Sequence, residues 1–180
     1  MSKIALKAND SGTGTFEIQA PATNTNRVLE LPDEAGTFDT LQRAGNVLQV
    51  VTATTTSEVT TTSTSFATTG FTANITPTSA SSKILILCGS YARQSTTAHC
   101  VYTIFRGDVS TGTNLGRVTD GRGLTGVHGS IRVPLFMSVV DSPNTTSSTT
   151  YTVAFRVISG IGFFGENAPL STLTLMEIAG

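Results

Sequence analysis

The stretch TYTVAFRVI, Thr150–Ile158, decides the fold. Tyr151, Val153, Phe155 and Val157 alternate with Thr152, Ala154 and Arg156. A period of two sends one set to a core and the other toward solvent, so the stretch reads as a half-buried strand. The same pattern recurs on both sides of it. In FTANI, Phe71, Ala73 and Ile75 alternate with Thr72 and Asn74. In HCVYTIFRG, Val101, Thr103 and Phe105 alternate with Cys100, Tyr102 and Ile104. KILILCGSY, from Lys83, is apolar on both faces at its centre, which predicts a central strand covered on both sides. SIRVPLFMSVV contains Pro134, which cannot donate to a ladder, so that strand lies at an edge, or bends or bulges there. TLTLMEI, Thr172–Ile178, supplies one more strand, and others are expected at Val47–Ala53, Glu58–Thr62 and Leu115–Thr119.

Turn chemistry separates these runs: TPTSASS before Lys83, RGD at Arg106–Asp108, DGRG at Asp120–Gly123 and DSPNTTSS at Asp141–Ser148. Short strands at this spacing predict an all-β fold, an antiparallel β-sandwich or jelly roll, rather than βαβ units. The sandwich is expected over residues 47–180. LQVVTATTTSEVTTTSTSFATTG is a low-complexity Thr/Ser segment whose alternation favours exposed strand over disorder. The best helical candidate, DTLQRAG at Asp39–Gly45, has an N-cap-like Asp39 and a stop at Gly45. It amounts to one or two turns, so residues 41–46 read as a connector. Residues 1–40 read as a strand-rich N-terminal arm.

Charged residues are 13% of the chain, about half the usual share, and the formal net charge is −1. Thr, Ser, Asn and Gly must therefore coat the surface. No electrostatic argument favours nucleic acid, and no polybasic run suits an anionic membrane surface. The longest apolar run, Ile84–Cys88, is strand-sized, so no membrane insertion is expected. MSKIALKAND lacks the apolar segment of a signal peptide, which predicts synthesis in a cytosol and release by lysis if at all. Cys88 and Cys100 then read as buried free thiols on neighbouring strands.

Motifs with chemical promise fall to simpler readings. GIGFFG matches G-x-G-x-x-G at Gly160, Gly162 and Gly165, but ENAPL follows where a dinucleotide site needs a helix. A flexible inter-strand loop is expected instead. Its Phe163 and Phe164 are candidates for a knob-tip or subunit interface, the alternative being that they cap the sandwich core. His99 and Cys100 project to opposite faces of one strand, so one strand cannot aim both at a metal or join them as a nucleophile and base. The RGD tripeptide reads as a plain surface turn. N-x-[ST] matches at Asn74 and Asn144 carry meaning only on a secretory route. Carboxylates are sparse and there is no Trp to stack a sugar, so the chain is expected not to be an enzyme and to need no cofactor or metal.

The arm carries a more specific pattern. SGTGTFEIQAPATNTNRVLELPDEAGT resembles an N-terminal segment of fibre-like virion structural proteins of marine and freshwater bacteriophages. The pattern rests on Gly14, Thr15, Pro21, Thr25, Asn26, Arg27, Leu29, Leu31, Pro32, Asp33, Gly36 and Thr37. The Thr/Ser-rich segment after Val50, DSPNTTSSTTYTVAFRV and STLTLMEI resemble the small domain that ends such proteins. The resemblance is weakest over Gly89–Gly129. It implies a virion surface protein, made in the host cytoplasm and associating as a homotrimer.

An arm this short cannot bury its own core. Leu6, Phe16, Ile18, Arg27, Val28, Leu29 and Leu31 are therefore the anchor or interface candidates, needing other copies or a shell beneath. Two readings follow. One is a capsid decoration (cement) or head-fibre protein anchored to the major capsid protein through the arm. The other is a tail-fibre protein whose knob binds a host surface glycan or protein. The knob follows the arm without a long shaft, which tilts the expectation toward the head.

Overall fold

β-branched and aromatic residues fit a pleated, half-buried surface, and here each alternating run of them becomes a strand. The computed structural model describes residues 11, 43–116, 123–167 and 169–180. The chain divides into two units, Met1–Thr37 and Phe38–Gly180. The arm candidates Leu6, Phe16, Ile18, Arg27, Val28, Leu29 and Leu31 lie outside the described residues, as do residues 39–42 of the expected helical turn.

The described residues carry strands and no helix. In chain order these are β1 (Val47–Thr55), β2 (Val59–Thr61), β3 (Ala67–Ile75), β4 (Lys83–Gln94), β5 (His99–Arg106) and β6 (Thr113–Asn114). There follow β7 (Thr125–His128), β8 (Val133–Asp141), β9 (Thr149–Val157), β10 (Gly162–Phe164) and β11 (Ser171–Ile178). Their pairings are antiparallel and form two sheets. The larger sheet runs β1-β11-β4-β10-β2, with β8 also on β4. β11 and β8 pair with the same residues of β4, so they flank it on opposite edges. The smaller sheet runs β3-β9-β5, with β7 and β6 in succession along the far edge of β5.

The two sheets pack face to face as a β-sandwich. Ile84, Ile86, Cys88, Leu173, Leu175, Leu135, Met137 and Phe164 enter the core from the larger sheet. Phe71, Ile75, Tyr151, Val153, Phe155, Val157, Tyr102 and Ile104 meet them from the smaller one. Each fully buried side chain of this size contributes about 1.5–3 kcal/mol. Tyr102 stacks on Phe155 with ring centroids 5.8 Å apart, and its hydroxyl donates to the Phe163 carbonyl at 2.6 Å. A buried tyrosine hydroxyl is thereby satisfied by the opposite sheet.

Several expectations change on contact with the structure. β9 is buried on both faces, not one, and β3 and β5 close its two edges. The Thr152 hydroxyl donates to the Gly107 carbonyl at 2.8 Å, which satisfies the polar face. Of the expected strand at Leu115–Thr119, Leu115 and Gly116 lie just beyond the short β6 at Thr113–Asn114, and residues 117–119 lie outside the described residues. GIGFFG is not a loop throughout: Gly162–Phe164 bridge β4 and β2. Gly162 is required by close packing, since a Cβ there would sit 2.5 Å from Cys100 Sγ and 2.8 Å from Val157 Cγ1. Gly165 has φ +67° as the chain leaves β10, a conformation that side chains rarely adopt. Cys88 and Cys100 are buried free thiols, but they lie on β4 and β5 in facing sheets rather than on neighbouring strands. Burial alone pushes the Cys88 thiol up to about 12. Pro134 lies in β8, which pairs only with β4 among the described residues, so the edge placement holds.

Candidate functional site

β4 alternates strictly, and its apolar residues occupy both sets of positions. Ile84, Ile86 and Cys88 fill the core, while Leu85 and Leu87 face outward and are only half-buried. The register then assembles an apolar row across four strands. Val50 of β1 pairs with Met176 of β11, Met176 with Leu85 of β4, and Leu85 with Val140 of β8. One same-face step along, Leu87 pairs with Ser138 and Thr174; two steps along, Phe136 pairs with Gly89, and Pro134 follows opposite Tyr91. Val50 is 55% exposed, Val140 54% and Phe136 64%. The sequence predicted cover on both faces of this strand; among the described residues the outer face has none. An exposed apolar row of this kind is a candidate contact surface.

At the far end of β4, two cations lie over aromatic rings. Arg132 lies over the Tyr91 ring at 4.1 Å and Arg93 over the Phe163 ring at 4.0 Å. Arg93 also pairs with Glu166. The β8 edge itself adds Pro134 to an otherwise open ladder, which limits indiscriminate strand addition.

Phe163 and Phe164, adjacent on β10, point to opposite faces. Phe164 is fully buried and packs against Phe71, centroids 6.0 Å apart, so it is a core residue and not a tip. Phe163 alone reaches the outer face, beneath Arg93. The RGD turn is not a presented tripeptide either. Arg106 Nη1 donates to both carboxylate oxygens of Asp141 at 3.1 Å and to the Ser142 carbonyl at 3.2 Å. The Tyr151 hydroxyl donates to the same carboxylate at 2.8 Å. Burial, then this hydrogen bond, push the Tyr151 hydroxyl well above its usual range. The network ties β8 to β5 and β9, and so clamps one sheet to the other.

A second buried carboxylate lies at the opposite surface of β11. Glu177 accepts from Gln49 Nε2 at 2.6 Å, from the Thr78 amide at 2.7 Å and from the Thr78 hydroxyl at 2.8 Å. Burial works to raise its pKa, but these donors outweigh it and hold the carboxyl below its usual range. A groove of about 520 Å³ opens where β1, β2 and β3 approach each other. Thr54, Thr55, Thr69 and Thr72 line it together with Phe71 and Phe164. Thr69 stands at a bulge of β3, where its hydroxyl donates to the Val153 carbonyl at 2.8 Å.

Among the described residues no group of three or more His, Cys, Asp and Glu is placed to hold a metal. His99 and His128 do meet, as opposed residues of β5 and β7. Comparing His99 only with its neighbour Cys100 misses this partner, because strand register is not written locally. The apolar row was missed for the same reason, although the two-faced apolarity of KILILCGSY is its signal.

The chain matches no protein-family model and no curated protein. Among solved structures it is similar to T=1 particles derived from infectious bursal virus, with TM-score 0.41 and 15% identity over 87% of this chain and 41% of that one. It is also similar to the VP2 subviral particle of infectious bursal disease virus, with TM-score 0.40 and 15% identity over 75% and 39%. The chain spans about two fifths of the length of those chains.

Proposed function

We propose that this chain is a non-enzymatic structural component of a bacteriophage virion. In this reading it is a homotrimeric capsid-surface decoration or head-fibre protein, held to the major capsid protein by its N-terminal arm. The observation that carries the reading is the apolar row Val50, Met176, Leu85 and Val140, with Phe136 exposed on the same face further along β8. A domain that keeps its core closed and still exposes such a row is built to be covered by another surface. A second copy is the occupant that the resemblance of Gly14–Thr37 to fibre-like virion proteins supports, since those associate through repeated contacts. The low charge and Thr/Ser coat suit a protein that is packed against neighbours at high local density.

The test separates anchoring from assembly. Deleting residues 1–40 is expected to abolish incorporation into particles while leaving a soluble knob. A truncated protein that still decorates heads would overturn the anchor. Native mass spectrometry of the full chain is expected to give three copies of the 18.7 kDa subunit; a monomer at micromolar concentration would overturn the trimer.

A second reading has its own observation. The groove lined by Thr54, Thr55, Thr69 and Thr72 with Phe71 and Phe164 mixes polar and apolar residues as a carbohydrate or peptide site does, which favours a tail-fibre knob that binds the host surface. Purified knob should then block phage adsorption. Electron microscopy of labelled virions distinguishes the two by placing the label on head or tail.

A further inference from the structure

β5 and β7 set His99 directly opposite His128. The next pair along, Cys100 and Val127, is buried in the core, so both imidazoles lie on the outer face, and both are exposed. Their ring centroids are 4.8 Å apart, with the planes inclined at 53°. We propose that this pair chelates one late first-row divalent ion, such as Zn²⁺, Ni²⁺ or Cu²⁺, through one nitrogen of each ring, with water in the remaining positions.

The geometry carries the argument. A metal–nitrogen bond of about 2.0–2.1 Å places an ion about 3.2 Å from each ring centre. Ring centres at the observed separation then subtend roughly 100° at the ion, between the cis angle of an octahedron and the tetrahedral angle. Because both residues are exposed, each ring can turn a nitrogen toward the common point. The paired strands fix the two Cβ atoms, so once one imidazole binds, the second is held at high effective concentration. Imidazole ligands select zinc, nickel and copper over magnesium and calcium, which prefer oxygen. The Cys100 thiol takes no part: it faces Gly162 in the core, and burial pushes it up to about 11.

The experiment titrates the full, tag-free chain with ZnCl₂ and, separately, NiCl₂ by calorimetry. One saturable ion per chain is expected, with no binding of MgCl₂. His99→Gln and His128→Gln are each expected to weaken binding at least tenfold, and the double variant to lose it. Circular dichroism without metal checks that each variant keeps its strand content. If a variant does not fold, electron paramagnetic resonance of Cu²⁺ on the wild-type chain decides, with coupling to two nitrogens expected. Unchanged binding in the double variant, no binding by the wild type at millimolar metal, or a Cu²⁺ signal with fewer than two nitrogens would each overturn the proposal.

Discussion

Glu177 is a carboxylate with no exposed surface, held by donors from Gln49 and Thr78. Its pKa lies below the ordinary value in the folded chain. Its contribution to stability is therefore complete above the unfolded pKa, about 4.3, and drains away as the pH falls through and below that value. Glu177→Gln is expected to cost about 1–3 kcal/mol at pH 7 and to flatten the acid limb of a plot of Tm against pH. An unchanged acid limb would remove Glu177 as its cause. The Asp141 clamp is separable into parts. Tyr151→Phe should cost about 0.5–1.5 kcal/mol in urea unfolding, and Asp141→Ala more, because it strands both Arg106 and the Tyr151 hydroxyl. Gly162→Ala should cost about 1–3 kcal/mol through overpacking. Adding Cys100→Ala removes the nearest clashing atom and should return part of that loss, a coupling that a double-mutant cycle reads directly.

At the scale of elements, the outer row of the larger sheet makes the sharpest claim. Phe136 is largely exposed and touches no core, so Phe136→Asp should change stability by less than about 0.5 kcal/mol. Self-association measured by sedimentation should weaken by at least tenfold. An unaltered association constant would exclude this face from the contact. The elements also show how far sequence reasoning reaches. Long runs with period-two alternation, such as those that became β3, β4, β9 and β11, were legible because pattern and turn chemistry agree. Short β2 falls within the expected Glu58–Thr62, but β6 and β10 were not legible: two-residue β6 has no period to read, and β10 lies in a Gly-rich run that reads as a loop. Their pairing is imposed by β5 and β4. The partner of Thr152 on the second face of β9 was also hidden, since the Gly107 carbonyl that accepts its hydroxyl lies 45 residues away.

At the scale of the whole molecule, the sandwich class was legible and the interfaces between its parts were not. Alternation tells which residues of a strand share a face, but not which face of which strand comes next to it. Hence Cys88 and Cys100 fell on facing sheets, Phe164 entered the core, and His99 gained a partner 29 residues away. One feature of the topology also bears on synthesis. Among the described residues, β1 is the first strand and pairs only with β11, the last, and β11 in turn lies against β4. At a translation rate of about 5–20 residues per second, β1 waits roughly 6–23 s between its own emergence and that of its partner. During that interval the edge that β11 later covers is open to other nascent chains on the same messenger. The alternating threonines of β1 make that wait tolerable, and a synonymous slow stretch ahead of Ser171 is expected to raise the insoluble fraction, read by pelleting after expression.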